Sequence, residues 1–71
     1  MTKTRLNPTT DKLLNLTKDQ ISYFCECESG SEMKAFNRNG KVIFCYVVNS
    51  MHALIEREMS FETVMEELQN D

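Results

Sequence analysis

The chain has no tryptophan, one proline, two glycines and one histidine among its 71 residues, and each scarcity removes a class of protein. With glycine only at Gly30 and Gly40, there is no glycine-rich loop of the kind that wraps a phosphate. A lone histidine, His52, supplies at most one imidazole as a base or a metal ligand. No apolar run approaches the roughly 18 residues needed to cross a bilayer. Behind Met1 stands Thr-Lys-Thr-Arg-Leu-Asn-Pro, which has the basic start of a secretory leader without its apolar stretch. A cytoplasmic location is therefore expected. The three cysteines, Cys25, Cys27 and Cys45, are an odd number. In a reducing compartment they are expected to remain thiols that pack as small hydrophobes.

What is present describes one small domain. A hydrophobic content of 41% with 27% charged residues excludes wholesale disorder. A chain of this length buries only about 60% of the surface its unfolded form exposes, so a bound partner or a homodimer is a natural source of extra stability. Residues 1–9 lack periodicity and contain Asn7-Pro8, where proline biases its predecessor away from helix. They read as a flexible arm in front of a single domain over 10–71.

Within that domain the pattern predicts an α+β fold: a short N-terminal helix, a three-stranded antiparallel β-meander and two C-terminal helices. Thr9 or Thr10 can cap the first helix, with Leu13, Leu14 and Leu16 as its apolar side. Three segments of eight residues follow, 21–28, 31–38 and 41–48, separated by the hairpin signals Ser29-Gly30 and Asn39-Gly40. Thr17 and Gln20 are spaced as a capping box, flanked by Leu16 and Ile21 as a hydrophobic staple, so a helix over 18–28 is the alternative for the first segment. Past Val48 the apolar spacing lengthens. Ser50 can cap a helix carrying Met51, Leu54, Ile55 and Glu58, and Ser60 another carrying Phe61, Val64, Met65 and Leu68.

Two-residue turns would set Cys25 opposite Lys34 and Lys34 opposite Cys45. Tyr23, Cys25, Phe36, Ile43, Cys45 and Val47 then share one face, and Met33, Ala35, Val42, Phe44, Tyr46 and Val48 the other. Neither face is polar throughout, which predicts helices on both or a partner chain on one. A three-residue loop ending at Gly40 would shift the third strand by one residue and transfer Cys45 to the opposite face.

Cys25, Cys27, Cys45 and His52 make a Cys3His set of the type zinc favours, yet two of its cysteines would lie two strand spacings apart, about 9 to 10 Å. The same residues lack the cleft and base that an activated thiol needs, so neither a cofactor nor an enzyme is expected. Residues 1–18 hold Lys3, Arg5, Lys12 and Lys18 against Asp11, a balance of +3, and could touch phosphates. A net charge of −3 disfavours direct nucleic-acid binding. Residues 52–71 carry six acids against Arg57, a balance of −5, and Glu56, Glu58, Glu62, Glu66 and Glu67 form an acidic surface suited to a basic partner.

The expected function is that of a small regulatory or inhibitory protein that binds a larger protein target. Small inhibitors of host nucleases and polymerases from bacteriophages and mobile elements share this character, an analogy of type alone. The expected contacts are Glu56, Glu58, Glu62, Glu66 and Glu67, with Tyr23 and Phe36 on an apolar sheet face. The alternatives are a nucleic-acid-binding transcriptional regulator led by the basic arm and a small zinc-binding domain.

Overall fold

The structure is a computed structural model that describes residues 2–26, 32–49 and 51–69. In chain order the elements are β1 (Thr2–Arg5), β2 (Asp11–Leu14), α1 (Lys18–Cys25), β3 (Met33–Arg38), β4 (Lys41–Asn49), β5 (His52–Ser60) and α2 (Phe61–Gln69). The strands form one sheet in the order β1-β5-β4-β3-β2, antiparallel at every junction. Among the described residues no helix is long and apolar enough to cross a membrane.

The five-stranded sheet replaces the expected meander of three strands, and three of the expected elements change. Residues 11–14 are a strand, not a helix. The reason lies in the turn ahead of them: the Asn7 carbonyl accepts from the Thr10 and Asp11 N–H groups, and the Asn7 side chain accepts from the Thr9 N–H at 2.9 Å. The threonines are thus spent in an Asx-type turn, not on a helix cap. Pairing with β3, Leu13 opposite Phe36 and Leu14 opposite Ala35, then sends the two leucines to opposite faces.

The segment 18–25 is helical where the first strand of the meander, 21–28, was expected; the capping-box alternative holds, with the helix ending short of residue 28. The Thr17 side chain accepts from the Gln20 N–H at 3.1 Å, and the Gln20 side chain accepts from the Thr17 N–H at 2.9 Å. The helix ends at Glu26, whose φ of 45° and ψ of 35° are left-handed. Cys25 is therefore not opposite Lys34, and the Ser29-Gly30 turn lies outside the described residues.

The third change is the largest. Residues 52–60 form a nine-residue strand where a helix was expected, so only α2 remains of the C-terminal pair. The sequence spacing is disguised by a bulge: Phe44 faces Arg57 and Cys45 faces Ile55, leaving Glu56 without an opposite number. The extra residue inverts the alternation. Ala53 and Ile55 point to one face, whereas Met59 packs with the core on the other. Residues 2–5, read as an arm without periodicity, lie along β5 as the edge strand β1.

The centre follows the expected register. Lys34 lies opposite Cys45, and the turn between β3 and β4 has φ of 50° at Asn39 and 85° at Gly40, the pair of positive values that a type I′ turn demands. Both helices pack on one face, hereafter the helix face, against Met33, Ala35, Val42 and Phe44, with Ile21 and Phe24 from α1 and Val64 from α2. Ser60 caps α2, its Oγ accepting from the Thr63 N–H at 3.1 Å. Phe24 stacks on Phe44 with ring centroids 5.4 Å apart.

Among the described residues the opposite face has no helix. Its buried residues are Ile43, Cys45, Ala53 and Leu6, with Phe36, Val47 and Ile55 packed around them. Leu6 comes from the segment that joins the two edge strands. Four strand spacings separate β1 from β2, about 19 Å in a flat sheet, and the six residue steps from Arg5 to Asp11 reach about 20 Å only when fully extended. That segment contains a turn, so the two edges must bend toward each other over Leu6. The open face is a shallow trough with a strap, residues 6–10, across it.

Candidate functional site

This end of the trough is built from residues of three strands and the strap. Leu13 of β2, Lys34 and Phe36 of β3, and Val47 of β4 line a cleft of about 350 Å3 against Leu6, Asn7 and Pro8 of the strap, with Met51 at the far end. Leu13 is 55% exposed and Met51 40% exposed. Both are large apolar side chains in a place where a helix would normally shield them. The Leu6 N–H donates to the Met51 carbonyl at 2.6 Å, which fixes the strap to the β4–β5 turn and holds this end of the cleft.

Beside the apolar lining is one ion pair. Asp11 Oδ1 and Oδ2 accept from Arg38 Nε and Nη2, each at 2.6 Å, and the Asp11 side chain is 1% exposed. The Asn7 N–H adds a bond to Oδ2 at 2.9 Å. The Arg38 guanidinium in particular, with the Asn7 and Thr10 hydrogen bonds, holds the carboxyl at about 2 against an ordinary 3.8, although burial pulls the other way. Cys45, at the bottom of the same face, is pushed up to about 11, chiefly by burial. A general base or thiolate nucleophile working near neutrality needs the opposite displacement of each group. The residues of the cleft that reach solvent are Asn7, Pro8, Leu13, Lys34 and Met51.

The sequence-derived contact residues fall in three separate places. Glu62 and Glu66 are exposed on α2. Glu67, also on α2, accepts from the Tyr23 hydroxyl of α1 at 2.9 Å, so Tyr23 belongs to the helix layer and does not share a sheet face with Phe36. Glu56 is the bulged residue of β5. Glu58 pairs with Lys41 at 3.3 Å near the turn that joins β3 to β4. Phe36 alone of the set lines the cleft. The acids of α2 and the apolar cleft are thus on opposite sides of the sheet, while Glu58, opposite Ile43, shares the open face.

The zinc set is likewise divided. Cys25 packs against the core of the helix face, Cys45 is buried on the open face, and the sheet stands between them. His52 Nδ1 is 2.9 Å from Asn49 Oδ1, while Cys27 lies outside the described residues. Among the described residues no three groups of the kind converge on one point. The basic arm is also split: Arg5 belongs to β1 at one edge, Lys12 to β2 at the other, and Lys18 begins α1.

Leu6, Leu13, Lys34, Val47 and Met51 were not singled out from the sequence as contact residues. For Lys34 and Val47 a signal existed, since hairpin arithmetic puts both on the face of Phe36. For Leu13 and Met51 it did not, because each was counted into a helix. No family model, curated protein or solved structure gives a significant match to the chain.

Proposed function

We propose that this chain is a binding module that docks on a larger protein through the open face of its sheet. The observation that supports the reading most directly is the joint exposure of Leu13 and Met51 beside Phe36 and Val47 in a single cleft. Apolar side chains gathered this way are covered in a stable complex, because each square ångström removed from water contributes about 25 cal/mol. The strap gives the site rigidity. Leu6 is buried, Asp11 is clamped by Arg38, and the β4–β5 turn is tied down at Met51, so a partner meets a preformed surface and little ordering cost is added on binding. A regulatory or inhibitory role fits this mode of binding, because a domain that covers part of a larger surface acts by occupying it.

The acidic residues of α2 offer a second, distinguishable reading in which charge leads. Glu62 and Glu66 are exposed one turn apart, where like charges oppose each other and are available to a basic surface. Capture from the source cell separates the two. L13D with M51D is expected to lose the captured protein while the melting curve stays within a few degrees of wild type, since both side chains are exposed. E62K with E66K is expected to retain it. The reverse result transfers the docking surface to α2.

A further inference from the structure

The cleft has a charge as well as a shape. The protein is acidic overall, at −3, but the ground around Leu13 is not. Asp11, the acid in the cleft, is neutralised by Arg38 and hydrogen-bonded through both oxygens. Lys34 lines the same cleft, is exposed, and has no ion-pair partner among the described residues. A second hollow, of about 240 Å3, lies on the far side of Leu13; it shares Leu13 and Lys34 with the first and adds Lys18. The exposed Leu13 therefore shares its two hollows with Lys34 and Lys18, and the acid that lines its cleft is already paired with Arg38.

Lysines on outer strands commonly guard a sheet against pairing with another chain, and Lys12 on β2 is placed to do so. Lys34 is on β3, one residue beyond the last β2 partner, Leu14 opposite Ala35, and is paired there with β4 alone. Its position on the open face opposite Cys45 puts an ammonium over apolar ground where a neutral residue would leave a simpler surface.

Resting on the docking reading above, we infer that the cleft takes the C-terminal end of a partner protein whose last residue is branched or aromatic and apolar. The apolar group lies against Leu13, Phe36 and Val47, and the terminal carboxylate meets the Lys34 ammonium. The apolar contact supplies area, and the ion pair selects the free carboxylate over a neutral or basic group. A half-exposed ion pair is worth about a three- to five-fold preference in affinity, and it weakens with salt.

The minimal probe is N-acetyl-leucine, compared with the neutral N-acetyl-leucinamide, titrated into the intact protein and followed by amide chemical shifts. The expected result is a set of shifts confined to Leu13, Lys34, Phe36, Val47 and the strap, with the acid binding about three- to five-fold more tightly than the amide. K34Q should bring the two ligands to equal affinity without moving amides outside the cleft, and K34R should keep the preference. Equal affinities in the wild-type protein overturn the carboxylate inference and leave the apolar docking reading intact. Shifts elsewhere, or none at millimolar ligand, overturn the inference. The docking reading is then judged separately by whether L13D with M51D loses the captured protein.

Discussion

Asp11 shows how one residue joins chain order to tertiary structure. In sequence it looks like a first-turn acid of a helix, a role worth a few tenths of a kcal/mol. In the folded protein it is nearly inaccessible and is gripped by Arg38 from 27 positions away. Its carboxyl at about 2, against 3.8 when unperturbed, corresponds to about 2 kcal/mol of stability. Because the folded value is the lower of the two, that stability is fully present above the unfolded value and is lost as pH falls from about 4 toward about 2. D11N should therefore cost about 2 kcal/mol or more at pH 7, since it also leaves the guanidinium without its carboxylate. Urea denaturation at pH 7 and again at pH 2.5 checks this: the gap between wild type and variant should narrow in acid. A gap of the same size at both values would show that the pair contributes little.

At the scale of elements, what the sequence made legible was local, and what it concealed was long-range. The β3–β4 hairpin was readable because Asn39-Gly40 fixes its own turn geometry; α1 was signalled by the Thr17–Gln20 box, but the eight-residue spacing to Ser29-Gly30 favoured a strand in its place. Strand β2 was hidden, since Leu13, Leu14 and Leu16 fit a helix until Phe36 and Ala35 are set beside them. Strand β5 was hidden by the bulge at Glu56, which turns a period of two into a spacing that imitates a helical turn. The cleft was half legible for the same reason: its β3 and β4 walls came from hairpin register, while its β2 wall and strap depended on pairings across the chain. The local device is the easiest to test. Gly40 has φ of 85°, and a Cβ built there meets nothing within 4 Å, so G40A changes backbone strain without adding a clash. It should cost about 1 kcal/mol, read as a lower urea midpoint at an unchanged slope. The amides expected to report it first are those of Gly40 and Phe61, because the Phe61 N–H donates to the Gly40 carbonyl at 2.9 Å and couples the hairpin turn to the start of α2. A loss well above that figure would mean that the turn also fixes how α2 docks.

The whole molecule is a sheet with two unequal cores. On the helix face seven buried residues from two helices and two strands lock together. On the open face four do so, and one of them, Leu6, is supplied by the strap. Leu6 is 8% exposed, and its side chain covers Ile43, Cys45 and Ala53 while its N–H extends the β1–β5 pairing to Met51. L6A removes that cover at the one point where the edge strands are drawn together. The substitution should cost about 2 to 3 kcal/mol, in the range for truncating a buried leucine to alanine. Its effect should also be uneven. Hydrogen exchange should accelerate in β1 and at Met51, which depend on the strap, well before it does so in β3 and β4, which the helices hold from the other side. If protection falls equally on both faces, the two cores unfold as one unit. If β1 alone responds, the trough is a separately stabilised platform, and a partner that fills it should raise the protection of β1 in proportion to its occupancy.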